Sequence, residues 1–379
     1  MYLIKNGMIH DGEGHVYEHT DLLIDNGKII RIGKEIEAQE AVVIDAEGKC
    51  IFPGMIDMAS TWGTAAGRGQ AAENDEAVDP VTPQMEAYYA FEPKSMVYQQ
   101  LWGYGITSAG VMPTDNNVFG GYGAVFKAYG KDPESMCVRD HVVMRASVNE
   151  NPKKKYGSGN MEPMTRMGIY SLIRRWLDKV HSDEEEDKKD VRVKALRPVV
   201  EGQIPLMVSC NTHSDIQHVI RAFENEKTRL ILSNAYELDE SLAGRVDGIV
   251  LGDLTDGFNV YNNKVDYKAL FSLMKKGMPV ALSAFSGTGA PGREILLWNA
   301  HQILAQARLL KVEINSEDVL KMITSVPSKL LGVQDRIGAL KEGMDADLVI
   351  WSEDPLRSFR AKPLTVFISG EIVEDASNE

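Results

Sequence analysis

The chain has 379 residues, of which 44% are hydrophobic and 25% are charged. This composition is typical of a folded globular protein with a sizeable core, and the length exceeds that of one small domain. The formal net charge of −14 gives a surface that repels nucleic acid and anionic lipid, so we expect neither as a partner.

The three cysteines, Cys50, Cys137 and Cys210, are far apart and form no CxxC pair. This pattern predicts neither a disulfide framework nor a cysteine zinc site, and free thiols suit a reducing cytoplasm. The first residues, 1–12, hold a single lysine and no long apolar run, which is not the pattern of a signal peptide. Removal of a leader from a longer natural gene stays open. No stretch approaches the ~18 apolar residues of a membrane helix.

Both ends of the chain read as short β-strands. The dipeptide Asn26-Gly27 separates two apolar runs and predicts a two-residue hairpin. The predicted strands at the two ends are Tyr2–Lys5, Asp21–Asp25, Lys28–Ile32, Ala41–Ile44, Cys50–Phe52, Ala346–Trp351, Leu364–Ser369 and Glu371–Val373. We therefore expect the two termini to pair into one small β-domain.

Between these ends, apolar β-type runs alternate with helical patterns. The predicted strands are Gly105–Gly110, Val142–Met144, Pro205–Ser209, Arg229–Ser233, Asp247–Leu251 and Met278–Ser283. The predicted helices are Asp215–Asn225, Tyr267–Lys276, Arg293–Leu309 and Ser316–Ser325. Alternation of this kind is typical of parallel βα units. The charged run His181–Lys189 is interpreted as a solvated loop or helix face.

Two further segments have a structural and a functional interpretation. The glycine-rich segment 120–123 reads as a turn after a strand; it lacks the ending of a phosphate-binding P-loop, so close backbone packing is favoured over phosphate binding. The acidic patch of Glu73, Asp75, Glu76 and Asp79 could hold a cation, but a solvated loop is favoured.

Several motifs, in the right order, resemble the amidohydrolase superfamily, and in particular the imidazolonepropionase-like metal-dependent hydrolases. The motifs are IFPGMID at 51–57, DPVTPQ at 79–84, GITSAGVMPTDNNVFGGYGAVFK at 105–127, NENPKKKYG at 149–157, TRMG at 165–168 and ITSVPSKLLGVQDRIGALKEGMDADLVIWSEDP at 323–355. The resemblance implies a TIM-like (β/α)8 barrel over 54–345 and a small β-sandwich domain built from 1–53 and 346–379. It also implies hydrolysis of amide-like C–N bonds, with Zn²⁺ or another divalent metal activating a water molecule.

The metal ligands of the family stand at the carboxyl ends of barrel strands. After the phrase PG-x-ID the family places H-x-H, and here the two histidines correspond to Ala59 and Thr61. A lysine that is carboxylated in some relatives corresponds to Arg145, which cannot form a carbamate. Lys127 and Arg145 are both expected near the barrel mouth, where binding an anionic ligand and pairing with acidic groups stay equally open.

The remaining ligand positions are changed as well. The strand-five histidine corresponds to Ser209, the strand-six histidine to Asn234, and the final aspartate to Phe285. Ala, Thr, Ser and Phe are not usable ligands for Zn²⁺, and a neutral Asn is a poor one. We therefore expect no metal and no other cofactor at this site.

Two nearby residues could still support chemistry. His213 follows the strand-five end and could act as a general base, although a loop or N-cap role is favoured. Cys210 could act as a nucleophile if a neighbouring base lowered its pKa, although a buried inert thiol is favoured. The other histidines, His10, His15, His19 and His301, are interpreted as structural or surface residues.

Three functions remain open from the sequence. The favoured one is a protein that keeps the amidohydrolase scaffold, has lost metal-dependent hydrolysis, and binds a small-molecule ligand or partners an active relative in the cytoplasm. The alternative is an active hydrolase on a small amide or peptide-like substrate, with a rebuilt site. The third is a purely structural homo-oligomer. An open pocket with converging polar groups would favour the first two over the third.

Overall fold

A computed structural model describes residues 1–64, 73–95, 98–252, 254, 265–285 and 294–375. Two eight-stranded sheets organise this part of the chain. One sheet curls into a nearly closed barrel, and the other combines strands from both termini. This mixed α/β architecture confirms the predicted TIM-like barrel with a β-rich domain built from the two ends of the chain.

The terminal sheet holds eight strands, and its main path runs in the order β16-β15-β14-β5-β1-β2-β3, with β4 paired to β1. Its strands are β1 (Tyr2–His10), β2 (Val16–Asp25), β3 (Lys28–Gly33), β4 (Val42–Asp45), β5 (Cys50–Pro53), β14 (Leu348–Trp351), β15 (Pro363–Ile368) and β16 (Glu371–Asp375). The predicted hairpin at Asn26-Gly27 is confirmed, because both residues adopt the positive φ of a tight β-turn. Strand β14 pairs with β5, and this pairing joins the two ends of the chain.

The barrel sheet runs in the order β13-β12-β11-β10-β9-β8-β7-β6. Its strands are β6 (Met55–Ser60), β7 (Ile106–Val111), β8 (Phe119–Lys127), β9 (Cys137–Ser147), β10 (Leu206–Ser209), β11 (Leu230–Ser233), β12 (Gly248–Leu251) and β13 (Val280–Leu282). Seven of these strands share one direction, and β8 runs antiparallel to both of its neighbours.

The interpretation of residues 120–123 as a turn was wrong. The three glycines lie inside β8, where they allow other segments to approach the backbone closely. A Cβ at Gly121 would lie 2.4 Å from the Met85 carbonyl oxygen, and one at Gly123 would lie 2.1 Å from the Met112 sulfur. Glycine-rich sequence weakens the usual strand signal, which explains why the strand was not predicted.

Ten α-helices surround the barrel within the described residues, and none of them combines the length and apolar character needed to cross a bilayer. They are α1 (Pro133–Met136), α2 (Glu150–Gly157), α3 (Arg166–His181), α4 (Glu185–Lys189), α5 (Val191–Val200), α6 (His213–Ala222), α7 (Tyr267–Lys275), α8 (Ile295–Leu310), α9 (Ser316–Met322) and α10 (Ser325–Leu330). The four predicted helices correspond to α6–α9; the predicted start at Arg293 lies outside the described residues. The charged run His181–Lys189 spans the end of α3 and the exposed helix α4, as expected.

Alternating residues of the barrel strands separate two cores. The inward-facing residues include Ile56, Val143, Met207, Ile231 and Val250, and they fill the barrel with a dense apolar layer. The outward-facing residues of the same strands pack against the surrounding helices in a larger cluster. The carboxyl ends of the strands, which lie above this layer, are where barrels of this kind carry their active sites.

A buried polar cluster connects the first and last barrel strands. The Asp57 carboxylate accepts hydrogen bonds from the Ser283 hydroxyl (2.5 Å), the Ala284 amide (3.1 Å) and the Trp62 indole (2.8 Å). The Ser283 oxygen also accepts a hydrogen bond from the Ala59 amide (3.1 Å). Burial raises the pKa of Asp57, while these hydrogen bonds oppose the rise. The Asp of the PG-x-ID phrase is therefore part of the seam between β6 and β13.

Lys127 lies at the opposite end of the barrel from the mouth, which corrects the expectation that it would line the mouth. Its buried ammonium group donates to Asp345 (2.7 Å), Asp347 (3.1 Å) and the Ser369 hydroxyl (2.7 Å). Because β8 runs antiparallel, its last residue returns to the amino-terminal end of the barrel. The ion pair thus ties the barrel to the terminal β-domain.

Replacing Asp345 should destabilise the protein. Burial alone would raise the pKa of Asp345, but Lys127, Lys28 and Arg336 outweigh burial and lower it to about 2. We expect Asp345→Asn to reduce the free energy of unfolding at pH 7 by about 2 kcal/mol. Urea unfolding measures this loss, and Asp178→Asn, which changes an exposed aspartate, serves as the matched control.

The lowered pKa of Asp345 determines how the stability lost in Asp345→Asn depends on pH. An aspartate with a lowered pKa stabilises the fold above its ordinary value of 3.8, and this contribution disappears as the pH falls towards 2. The difference between the wild type and Asp345→Asn should therefore shrink over this range. A difference that stays constant down to pH 2 would contradict the assigned ion pairs.

Removing the seam hydroxyl should also destabilise the barrel. Ser283→Ala removes one of the hydrogen bonds to the buried Asp57 carboxylate and the hydroxyl oxygen that accepts from the Ala59 amide, so we expect a loss of about 1–3 kcal/mol. Ser158→Ala removes an exposed hydroxyl that donates to a backbone carbonyl and should change the stability little. Equal effects of the two substitutions in thermal unfolding would argue against the seam.

Candidate functional site

The carboxyl ends of the barrel strands surround a cavity of about 360 Å³, here called the mouth cavity. Five of the six positions that correspond to family metal ligands line it together. The lining residues are Ala59, Ser60, Thr61, Asn74, Asp75, Met112, Pro113, Thr114, Asp115, Arg145, Asn234 and Phe285. The sixth position, Ser209, lies directly beneath Arg145 and is hydrogen-bonded to it. The fold thus brings the whole predicted set to one place.

Arg145 extends from the inner face of β9 and places its guanidinium at the base of this cavity. One terminal nitrogen donates to the Ser233 hydroxyl and the other to the Ser209 hydroxyl, both at 2.7 Å. The side chain is 5% exposed. Burial lowers the pKa of Arg145, and the nearby Asp115 carboxylate opposes this shift. A guanidinium stays protonated under these conditions, so the mouth cavity holds a fixed positive charge.

The Asp115 carboxylate lies near the Arg145 guanidinium but does not hydrogen-bond to it. The closest approach between Arg145 and Asp115 is 3.9 Å, which is too long for a hydrogen bond. The Asp115 oxygens instead accept hydrogen bonds from the side-chain amides of Asn149 (3.0 Å) and Asn151 (2.7 Å). Sequence analysis missed Asp115, although it lies within one quoted motif and its partners lie within another.

The same motifs hold the loop that carries Asp115. Asn117 donates to the Glu76 carbonyl and to the Thr82 hydroxyl, and it accepts a hydrogen bond from the Tyr156 hydroxyl. Tyr156 also donates to the Asp79 carbonyl. Residues of the three motifs at 79–84, 105–127 and 149–157 therefore support one side of the mouth.

Two lining residues adopt an unusual backbone conformation. Asn234, with φ = 55°, directly follows β11, and Phe285, with φ = 48°, lies shortly after the end of β13. Asparagine tolerates this left-handed region, but for phenylalanine it costs about 1–2 kcal/mol. The Phe285 ring lies over Gly252, where an added Cβ would come within 2.3 Å of the ring. Strain of this kind is concentrated at sites where the backbone shape serves a function.

The donor set does not fit the divalent metal that the resemblance implies. Among the described residues, those that line the mouth cavity include no histidine, and their two carboxylates, Asp75 and Asp115, already accept hydrogen bonds. Ala59 and Phe285 offer no ligand atom, and the Arg145 guanidinium repels a cation from the position that a metal would take. No reaction step through a metal follows from these residues.

The two catalytic candidates, His213 and Cys210, lie outside the mouth cavity. The His213 imidazole is more than half exposed at the start of α6, and its Nδ1 lies 3.0 Å from an Asp239 oxygen. Cys210 is fully buried, and burial, aided by the charge of Asp215, raises the pKa of its thiol far above the ordinary value. A protonated, inaccessible thiol is a poor nucleophile.

The remaining histidines have structural contacts. His10 stacks on Phe52 and its Nδ1 lies 2.8 Å from a Glu317 oxygen. The His301 Nε2 donates to the Pro355 carbonyl at 2.9 Å. Among the described residues, one group of three potential metal ligands exists outside the mouth cavity, formed by the partly exposed Glu86, Asp140 and His141.

The fold and the position of the cavity define a TIM-like barrel protein whose candidate site lies at the carboxyl ends of the strands. Residues 201–373 match the model of the Amidohydrolase family. A solved amidohydrolase from Thermotoga maritima is 29% identical, with a TM-score of 0.87, and the match covers 99% of this chain and 100% of that chain. The chain therefore carries an amidohydrolase family domain.

Curated relatives are longer than the region they share with this chain. Amidohydrolase tasK of Hapsidospora irregularis is 26% identical over 432 residues, which cover 97% of this chain and 42% of that protein. A dihydroorotase of Bacillus cytotoxicus is 49% identical over 57 residues, which cover 15% of this chain and 13% of that protein. The chain thus spans less than half the length of these relatives.

The thiols should differ sharply in reactivity. Burial raises the pKa of Cys50 and Cys137 to about 11, and that of Cys210 further still. Because Cys137 is the one partly exposed thiol of the three, we expect it to react first with Ellman's reagent at pH 8, and Cys210 to react last. Cys137→Ser should remove the fastest phase and Cys210→Ser should leave it unchanged. Fast labelling of Cys210 in the native protein would revive it as a nucleophile.

Proposed function

We propose that the mouth cavity binds a small ligand with a carboxylate group through Arg145, and that the protein has lost the metal-dependent hydrolysis of the family. The observation that carries this proposal is the buried Arg145 guanidinium, which is fixed by two serines and lines the mouth cavity. Fixed guanidinium groups are the protein's preferred partners for carboxylates, because two parallel N–H groups match the two carboxylate oxygens.

The hydrogen-bond capacity of Arg145 supports this proposal. A guanidinium has five N–H donors, and the hydrogen bonds found among the described residues go only to Ser209 and Ser233. The nearest carboxylate, Asp115, stays at 3.9 Å. A buried cation whose N–H groups lack acceptors is unfavourable. A carboxylate that accepts hydrogen bonds from the remaining N–H groups of Arg145 would therefore bind favourably.

The size and lining of the mouth cavity suit a small molecule. Its volume of about 360 Å³ lies at the lower end of the range for small-molecule sites. Phe285, Met112 and Pro113 supply apolar surface, while Asn234 and Thr61 supply polar groups on the same lining. Such a combination orients a short, partly apolar carboxylic acid.

Loss of hydrolysis follows from the same residues. A guanidinium supplies positive charge, as a metal would, but it cannot coordinate a water molecule and activate it in the way that a metal does. The aspartate that would accept the proton of that water is replaced by Phe285. The protein would then serve as a binding protein or as the partner of an active relative.

Removing the guanidinium should abolish carboxylate binding. We expect pentanoate to bind the wild type, and Arg145→Gln to weaken the affinity at least tenfold, or by about 1.4 kcal/mol or more. Pentanamide, which has nearly the same shape without the charge, should bind poorly to both proteins. Ligand-detected NMR at low salt measures these affinities, and Arg31→Gln, at an exposed position of β3, is the control.

A second variant covers the case in which Arg145→Gln unfolds. Asn234→Gly removes a lining amide and keeps the positive φ, so the fold should survive while pentanoate affinity changes. Equal binding of pentanoate and pentanamide, or pentanoate binding that neither substitution alters, would overturn the proposal.

A further inference from the structure

A second cavity of about 400 Å³, here called the acidic cavity, adjoins the mouth cavity. The two cavities share Asn74, Asp75 and Pro113 in their linings. They therefore form neighbouring chambers on the side of the barrel mouth that the three motifs support. A ligand that reaches the acidic cavity from Arg145 would have to pass these shared residues.

The two cavities differ in charge. Among the described residues, four carboxylates line the acidic cavity, from Glu73, Asp75, Glu76 and Glu86, and no lysine or arginine does. Lys155 lies 2.7 Å from Asp75, and His141 lies 3.6 Å from Glu86. Within the described ranges, Glu73 and Glu76 form no ion pair. The acidic cavity thus keeps a net negative charge beside the positive charge of Arg145.

An unpartnered amide lies between the two chambers. Asn74 is 7% exposed, and both its Nδ2 and its Oδ1 lack a hydrogen-bond partner among the described residues. Buried amides are nearly always hydrogen-bonded, and an exception calls for an explanation. A polar ligand that passes from one cavity to the other would satisfy this amide.

We infer that the ligand is a zwitterion, with its carboxylate on Arg145 and an ammonium group in the acidic cavity. This inference rests on the proposed function, since the carboxylate anchor is the same. Charge complementarity at both ends would favour a zwitterion over a simple carboxylic acid, and like-charge repulsion would disfavour a dicarboxylate. Asn74 would contact the part of the ligand between its charged ends.

Three probes with the same five-carbon chain test this inference. Pentanoate, 5-aminopentanoate and glutarate end, respectively, in a methyl group, an ammonium group and a second carboxylate. We expect 5-aminopentanoate to bind about three- to tenfold more tightly than pentanoate, and glutarate to bind more weakly than pentanoate. Ligand-detected NMR at pH 7 and low salt gives the three affinities.

A double variant that neutralises two carboxylates tests whether the acidic cavity binds the ammonium group. Glu73 and Glu76 are exposed, so Glu73→Gln with Glu76→Gln should fold normally. It should reduce the advantage of 5-aminopentanoate over pentanoate without weakening pentanoate binding. Glu37→Gln with Glu40→Gln changes two exposed glutamates of the terminal β-domain and is the matched control.

The outcomes separate the two proposals. Equal affinities for the three probes, all lost in Arg145→Gln, would overturn the zwitterion and leave the proposed function standing. Pentylamine binding as tightly as 5-aminopentanoate would also overturn the zwitterion, since the carboxylate would then add nothing. No binding of any carboxylate probe, or binding unaffected by Arg145→Gln, would overturn both.

Discussion

A buried guanidinium is stable only where hydrogen-bond acceptors meet it, and this constraint organises the mouth of the barrel. Arg145 lies above the apolar layer that fills the barrel, and the hydroxyls of Ser209 and Ser233 receive it from the ends of two neighbouring strands. The Asp115 carboxylate, held by Asn149 and Asn151, supplies the nearby negative charge. These groups fix the charge that any ligand in the mouth cavity would meet.

The mouth of the barrel combines a fixed charge with unusual backbone conformations at the ends of two strands. Phe285 and Asn234 adopt left-handed backbone conformations at positions where the family resemblance places an aspartate and a histidine. A left-handed conformation is unfavourable for phenylalanine, so we attribute it to the path of the backbone at the strand ends. In the proposed function, a fixed guanidinium would supply the positive charge that a metal supplies in the family, but without an activated water molecule.

Much of the fold could be predicted from the sequence, because alternating βα patterns and the Asn26-Gly27 turn are local signals. The antiparallel strand β8 could not, since its glycines serve contacts with Met85 and Met112 that are visible only in three dimensions. The position of Lys127 was missed for the same reason, because the direction of β8 decides which end of the barrel it reaches. Long-range pairing, rather than local propensity, determined both features.

In the candidate site, as in the fold, some features follow from sequence motifs and others depend on contacts between distant parts of the chain. The family resemblance assigned six positions to metal ligands, and the fold places five of them around one cavity with Ser209 just beneath. The supporting residues Asp115, Ser233 and Asn74 could not be predicted, because their roles depend on partners far away in the chain. The distance from Arg145 to Asp115, which leaves the cation incompletely paired, is likewise a property of the folded structure alone.

If Arg145 occupies the place of a metal ion, the mouth cavity should not retain zinc, and the metal content of the protein after exposure to zinc shows whether it does. The purified protein would be incubated with Zn²⁺, desalted and subjected to elemental analysis, in a His141→Ala background that disables the surface group of Glu86, Asp140 and His141. We expect well below one equivalent of zinc per chain. One full retained equivalent would contradict this expectation and would point to a metal-dependent hydrolase.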